Sequence, residues 1–234
     1  MRDQDVHQAD LDKLRQPTEF LDHDSPVVRR FVHDALRDED TTDVQRAVRL
    51  YYAVRDGLLY EVYGADLSRS GLRASAIISA GTGFCVHKSL VYAAALRAVG
   101  IPSRLIFGDV RNHLASDRLR RLVGGDVFCF HSLTSVFLEG RWLKATPVFN
   151  KLLCRLYRIA PLDFDGAADS MYHPFDQDGR RHMEFLHMHG EFDDFPYSTV
   201  INGLRTAHPR LFEQEDTLTQ GSLVREVHTG GSHD

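Results

Sequence analysis

The stretch Gly81-Thr82-Gly83-Phe84-Cys85-Val86-His87-Lys88-Ser89-Leu90 places a single cysteine where a glycine-flanked turn becomes a helix. Apolar residues continue at helical spacing as far as Ala98, and Gly100 followed by Pro102 is a typical helix stop. The pattern predicts a buried central helix from about Cys85 to Ala98. A thiol in its first turn faces backbone N–H groups and the positive end of the helix dipole, which both favour thiolate. The stretch therefore indicates a nucleophile, with a buried structural cysteine as the alternative.

The strongest strand pattern in the chain is followed by a hairpin turn. Residues 127–138 are rich in Phe, Val and Thr, residues 139–140 are Glu-Gly, and residues 141–146 form the returning strand. These features predict an antiparallel β-hairpin. A two-residue turn pairs Leu138 with Arg141.

That register places His131 and Thr146 on the same face of the hairpin as diagonal neighbours, with Leu133 directly opposite Thr146. A cysteine at a helix start, a histidine on a strand and a polar residue on the next strand form the set that thiol catalysis requires. The histidine takes the thiol proton and later protonates the leaving group, while the third residue holds the imidazole in the useful tautomer. The base is needed because a free thiol with a pKa near 8.5 is only about 3% ionised at pH 7.

Two motifs together resemble the transglutaminase-like superfamily. Residues 81–88 followed by 96–104 are similar to its cysteine motif, and His131 with Gly140-Arg141-Trp142 is similar to its histidine motif. The resemblance covers residues 47–149 and is to a bacterial-type member. It implies a papain-like α+β fold, in which the helix that carries the cysteine packs on an antiparallel β-sheet. It also implies acyl transfer at a carboxamide or ester carbon through a thioester.

The sequence departs from the family pattern at one catalytic position. The family's third residue is usually an aspartate in an Asp-Pro pair, and here the pair is Thr146-Pro147. A threonine hydroxyl accepts the imidazole N–H but brings no negative charge, and loss of the right tautomer in a serine triad costs about 10⁴ in turnover. Three explanations stay open: Thr146 suffices, another residue supplies the role, or the site has lost catalysis. The other candidates for the role are Asp109, Asp126, Asp163 and Asn150. The Ala-Thr-Pro pattern is similar to that of some bacterial members, which favours a tolerated variant.

Several other residues have possible roles near these motifs. The backbone N–H groups of Phe84 and Cys85 are candidates for an oxyanion hole, and His87 is a candidate for the cleft. Cys129 and Cys154 are assigned no role beyond the core.

A histidine-rich stretch raises a metal-site alternative. A helix predicted over residues 180–189 places Glu184 and His187 three residues apart, but the HExxH pattern is absent. We therefore predict neither a metal nor a cofactor. The metal-ligating residue types in this stretch are His173, His182, Glu184, His187 and His189.

Composition excludes several classes of protein. The 234 residues are 43% hydrophobic and 26% charged, which is typical of a globular protein with a real core. A net charge of -5 gives no general attraction to nucleic acid or to an anionic membrane, and no segment reaches about 18 apolar residues. The acidic start does not fit a signal peptide, and three cysteines without a CxxC pair fit a reducing compartment. These observations predict a cytoplasmic protein without nucleic-acid or membrane partners.

The patterns along the chain predict one domain with two flanking segments. Residues 1–24 are a polar, loosely held N-terminal arm, and residues 213–234 are a flexible tail. Residues 25–212 form a transglutaminase-like domain with a core over 47–150 and a loop-rich cover over 151–212. The remaining predicted elements are helices over 26–37, 44–57, 180–189 and 197–208, and a strand over 103–110.

The leading hypothesis is a cysteine-dependent hydrolase or acyltransferase. Cys85 is the nucleophile, His131 the base and acid, and Thr146 the provisional orienting residue, acting on a peptide, a protein or a small acyl or amide substrate. Hydrolysis is favoured over cross-linking because nothing in the sequence marks a second site for an amine acceptor. The alternatives are a catalytically impaired binding module that holds a peptide or acyl ligand, and a scaffold whose cleft is plugged by residues 160–195. No oligomeric state is predicted.

Overall fold

The computed structural model describes residues 8–113, 115–172, 178–179, 182–213 and 222–223. These residues form an α+β fold in which helices pack against an antiparallel β-sheet, as predicted. In this part of the chain, no helix combines the length and the apolar character needed to cross a membrane.

Helices and strands follow one another along the whole described chain. The helices are α1 (Gln8–Lys13), α2 (Pro26–Ala35), α3 (Asp43–Gly57), α4 (Ala74–Ala80), α5 (Cys85–Ala98), α6 (Asp117–Val123), α7 (Lys151–Leu156) and α8 (Tyr197–Ala207), with a 3-10 helix over Pro209–Phe212. The strands are β1 (Leu59–Tyr60), β2 (Thr82–Gly83), β3 (Ser103–Asn112), β4 (Val127–Leu138), β5 (Arg141–Ala145) and β6 (Met183–Phe192).

The main sheet has the strand order β5-β4-β3-β6, with every neighbouring pair antiparallel. The hairpin register is confirmed, because Leu138 pairs with Arg141 and the ladder continues to the pair of Thr134 and Ala145. Pairing stops there. The predicted strand ends at residue 146, one residue later. Pro147 has no N–H to donate to the ladder, so the strand cannot continue through it.

Helix α5 is the centre of the fold. Its residues from Cys85 to Arg97 are all buried, and it contacts α2, α3 and α4 as well as strands β3 and β4. Three successive alanines, residues 93–95, are fully buried and allow this close packing. The predicted central helix is therefore confirmed.

A buried lysine joins α5 to the end of α3. Lys88 is fully buried, and its Nζ donates hydrogen bonds to the carbonyl oxygens of Arg55 at 2.8 Å and Leu58 at 2.7 Å. Carbonyls at a helix C-terminus have no partner within the helix and carry partial negative charge. Lys88 therefore has a structural role one turn away from Cys85.

The predicted helix over residues 180–189 is wrong, because residues 183–192 form the edge strand β6. Arg111 pairs with Glu184 and Asp109 pairs with His187 in the ladder between β3 and β6. From Met183 to His189, every second residue is apolar or a histidine. This alternation fits a strand, although the segment also fits a helix. Pairing with the distant strand β3 decides between them.

Three further segments differ from expectation. Residues 8–24 pack on the domain rather than forming a loose arm, since four of their apolar side chains are buried. Helices α4 and α6 lie in two segments for which the sequence predicts no helix. Most of the predicted flexible tail lies outside the described residues, but Leu223 is described and is 2% exposed. The four buried side chains of the first segment are Leu11, Leu14, Phe20 and Leu21.

Candidate active site

The turn before Cys85 has a conformation that depends on two glycines. Gly81 ends α4 in the left-handed region with φ of 70°, and its carbonyl accepts a hydrogen bond from Leu59 N–H at 3.0 Å. A Cβ atom on Gly83 would lie 2.5 Å from the Cβ of His87, so no larger residue fits there. The short parallel pair of β1 and β2 then fixes the entry to α5.

Cys85 is the first residue of α5 and is 6% exposed. The residue before it, Phe84, supplies no side-chain cap, so the amide groups of the first turn are left for the thiol or a ligand. Burial nevertheless raises the pKa of the Cys85 thiol to about 11, and hydrogen bonds from the backbone of Ser132 and Val86 oppose this only in part. The loss of water on burial thus opposes the thiolate that the helix terminus favours.

His131 lies on β4 and is 5% exposed. Burial lowers the pKa of its imidazole to about 4, so the ring is neutral at pH 7. Within the described residues, no group forms a hydrogen bond with the ring. The ring is therefore an unprotonated base whose orientation is set by packing, including a contact with Phe185 at 6.0 Å between ring centroids.

Cys85 and His131 line the same largely enclosed cavity, which has a volume of about 60 Å³. Its walls come from β1, β3, β4, β6, α6, α7 and α8, and Leu223 from the C-terminal segment contributes as well. The cavity holds space for a few groups of the size of water. The structure thus places both predicted residues, Cys85 and His131, in the lining of one cavity.

Thr146 lies immediately after β5, 6% exposed, and lines a second, smaller cavity together with His131. This cavity has a volume of about 20 Å³, which is room for about one water molecule. The Oγ1 atom of Thr146 is buried and has no hydrogen-bond partner among the described residues. Thr146 is therefore placed near the imidazole, and its role in orienting the ring stays a prediction.

The four other residues considered for the orienting role each have a partner elsewhere. These contacts are Asp109 with His189 (2.7 Å) and Phe130 N–H (3.1 Å), Asp126 with Arg111 (3.6 Å), Asp163 with Arg55 (2.8 Å), and Asn150 with Tyr60 N–H (3.2 Å). Each of these oxygens thus accepts a hydrogen bond or ion pair that already explains its position.

The rings of Phe84 and His87 are in contact with each other, but only Phe84 is among the described residues that line the cavity. Phe84 lines the cavity that contains Cys85, and its ring lies 4.8 Å from the ring of His87. His87 is 3% exposed, and its Nε2 donates to the carbonyl oxygen of Asp66 at 3.0 Å. The structure places His87 behind Phe84, where it supports the turn, and outside the described lining of the cavity.

Sequence reasoning missed several residues of the cavity. Tyr60 lines it, and burial raises the pKa of its hydroxyl well above the ordinary value. His208 also lines it, with Nδ1 donating to Val123 O at 2.7 Å and Nε2 accepting Cys129 N–H at 2.9 Å. These residues come from separate elements, and no local pattern marks them.

The metal-site alternative finds no support in the described part of the chain, where no group of three or more His, Cys, Asp or Glu side chains could hold a metal ion. His189 is bonded to Asp109, and Glu184 lies 3.8 Å from Arg111. His173 lies outside the described residues.

Acid is expected to destabilise the fold through buried neutral histidines, above all His87 and His131. Burial lowers the pKa of both His87 and His131 to about 4. Between about pH 6.5 and pH 4 the unfolded chain binds protons that the folded chain does not, so stability present above pH 6.5 is lost as the pH falls. The loss by pH 5 should be about 2 kcal/mol per histidine. Urea unfolding at pH 7 and pH 5 measures the loss, and His87→Gln should reduce it by about 2 kcal/mol, the contribution of one histidine. Equal stability at the two pH values would contradict neutral buried rings.

Comparisons with known proteins point to one family. A family model described as "Transglutaminase-like superfamily" matches residues 30–147. No curated protein matches the chain. A solved structure titled as a "Putative Cysteine Protease" from Cytophaga hutchinsonii is similar, with 16% identity, a TM-score of 0.47 and coverage of 82% of this chain and 59% of that one. An arylamine N-acetyltransferase from Mycobacterium abscessus is also similar, with 15% identity, a TM-score of 0.40 and coverage of 57% and 46%. The chain thus spans less than two thirds of either solved chain.

Proposed function

The chain belongs to the transglutaminase-like superfamily, and from this membership and the cavity shared by Cys85 and His131 we propose that it is a cysteine-dependent enzyme that hydrolyses an amide or ester bond. The shared cavity supports the proposal, because Cys85 at the start of α5 and the buried imidazole of His131 both line it. Such a site supplies a nucleophile and a base together.

The proposed reaction begins with a neutral pair. Burial raises the thiol pKa to about 11 and lowers the imidazole pKa to about 4, so both groups are neutral before the attack. The proton passes from Cys85 to His131 only as sulfur forms its bond to the acyl carbon. The N–H groups in the first turn of α5 stabilise the negative charge on the carbonyl oxygen. His131 then protonates the leaving group, which leaves a thioester. A water molecule, deprotonated by His131, releases the carboxylic acid and restores the thiol.

Hydrolysis is proposed over transfer to an amine because the cavity has room for water, while its described lining residues include no carboxylate to bind an ammonium group. Three free thiols fit a reducing compartment, so we place the enzyme in the cytoplasm.

A binding module is the second candidate function. The observation that favours it is the pair of opposed pKa shifts, which make charge separation between Cys85 and His131 costly in this structure. In that case the cavity would bind an acyl or peptide ligand and leave it unchanged.

Trapping the acyl-enzyme tests hydrolysis against binding. The protein is mixed with p-nitrophenyl butyrate and quenched in acid, and the adduct is located by peptide mapping with mass spectrometry. We expect a butyryl group on Cys85 within the first turnover, followed by release of butyrate. Persistence of the ester without any adduct on Cys85 would overturn the proposed function.

Thr146 offers a graded test of the orienting role. Thr146→Val keeps the shape and removes the hydroxyl, so kcat/KM should fall about tenfold, the worth of one hydrogen bond to the imidazole. Thr146→Ser keeps a hydroxyl and serves as the matched control, with activity within about threefold of the parent. Thermal unfolding checks that both variants fold. Equal activity of the valine and serine variants would show that Thr146 does not orient His131.

A further inference from the structure

The cavity next to Cys85 has no charged wall. Its polar lining groups are thiol, imidazole, phenol and amide, and no Asp, Glu, Lys or Arg side chain is among its described lining residues. The rest is hydrocarbon, with Leu119 and Val123 from α6, Leu204 from α8 and Leu223 from the C-terminal segment. An ionised group in this space would lose its hydration without gaining an opposite charge.

The imidazole of His208, although it lies in this wall, is already bonded at both nitrogens. Nδ1 donates to Val123 O at 2.7 Å and Nε2 accepts the Cys129 N–H at 2.9 Å. Burial also lowers its pKa, so the ring stays uncharged at pH 7. It therefore fixes α8 to β4 and offers no free donor to a carboxylate in the cavity.

An open groove lies on the other side of one wall. Val62, Phe84 and Leu211 line both the cavity and this groove. Unlike the cavity, the groove carries charged side chains, including Asp66 and Arg205. The wall formed by these three residues thus has an apolar space on one side and a polar one on the other.

We propose that the acyl group accepted by Cys85 is an uncharged aliphatic chain of about four to six non-hydrogen atoms, bound in the apolar cavity; the inference rests on the proposed acyl-enzyme function. The length follows from the cavity volume of about 60 Å³. The sulfur forms a bond to the acyl carbon, the bond to the leaving group breaks, and the thiol proton passes through His131 to that group. Water then cleaves the thioester and yields the short aliphatic acid.

Esters with different acyl groups and the same leaving group test the proposal. The substrates are p-nitrophenyl acetate, butyrate and hexanoate, together with mono-p-nitrophenyl glutarate, whose acyl chain ends in a carboxylate. We expect kcat/KM to rise about tenfold from acetate to butyrate and to be at least about 100-fold lower for glutarate than for butyrate. Glutarate cleaved as fast as butyrate would overturn the proposal.

A substitution that fills the cavity gives a second, independent test of the proposed acyl site. Leu119 is 6% exposed and lines the cavity, so Leu119→Phe should lower the ratio of hexanoate to acetate hydrolysis about tenfold. Leu152→Phe is the matched control, since Leu152 is 40% exposed on α7, and its ratio should not change. Thermal unfolding shows whether each variant is folded. An unchanged ratio in folded Leu119→Phe would contradict the proposal.

Binding without chemistry separates this proposal from the proposed function. In Cys85→Ser, hexanamide should raise the unfolding temperature more than acetamide at equal concentration, because binding to the folded state stabilises it. If no ester acylates Cys85 but hexanamide still raises the unfolding temperature, the proposed enzymatic function is contradicted and the apolar binding site is supported. If acylation proceeds but hexanamide gives no shift, the apolar acyl site is wrong.

Discussion

Cys85→Ala is expected to lower kcat/KM for p-nitrophenyl butyrate by at least about 10⁴-fold, since loss of the nucleophile removes the thioester route and leaves only the binding and electrostatic contribution of the site. The side chain is small and buried, so alanine leaves the turn and α5 in place. Steady-state kinetics with intact-mass analysis measures both the lost turnover and the lost acyl adduct.

Cys154→Ala is the matched control for this variant. Burial raises the pKa of the Cys154 thiol to about 11, as it does for Cys85, but Cys154 lies on α7 and donates to the carbonyl oxygen of Phe149 at 3.5 Å. Its activity should stay within about tenfold of the parent. Residual activity above about 1% in Cys85→Ala would show that another group carries the reaction.

Local signals in the sequence predicted the elements that carry Cys85 and His131. Glycines, apolar spacing and the helix stop are all encoded near Cys85, and α5 begins and ends where they indicate. The strand that holds His131 and the hairpin register were likewise available from alternation and a two-residue turn. Both patterns depend on neighbouring residues only, and both are confirmed.

Features that depend on distant contacts could not be predicted. Strand β6 is selected by pairing with β3, and the cavity wall is assembled from α6, α8 and Leu223. The raised thiol pKa has the same origin, because desolvation depends on everything packed around Cys85 and no local pattern records it. Helix-terminus reasoning alone leaves out this desolvation, which opposes the ionisation of Cys85.

The largest effect after loss of the nucleophile is expected from His131→Asn, which should lower kcat/KM about 10³- to 10⁴-fold at pH 7. Asparagine keeps a polar side chain of similar size but cannot accept the thiol proton. With a pKa of about 11, only about one Cys85 thiol in 10⁴ is ionised at pH 7 without a base. His189→Asn is the control, because His189 is bonded to Asp109 and is outside the described lining of the cavity.

The pH profile distinguishes loss of the base from mere disruption of the site. A neutral imidazole with a pKa of about 4 stays unprotonated above that pH, so kcat/KM of the parent should be flat from about pH 5 to pH 9. In His131→Asn the rate should instead rise about tenfold per pH unit across this range, since only the thiolate with its pKa of about 11 reacts. A double variant with Cys85→Ala should be no worse than Cys85→Ala alone, because the two residues act as one unit. A flat profile in His131→Asn would mean that the proton leaves Cys85 by another route, and His131 would then be a packing residue.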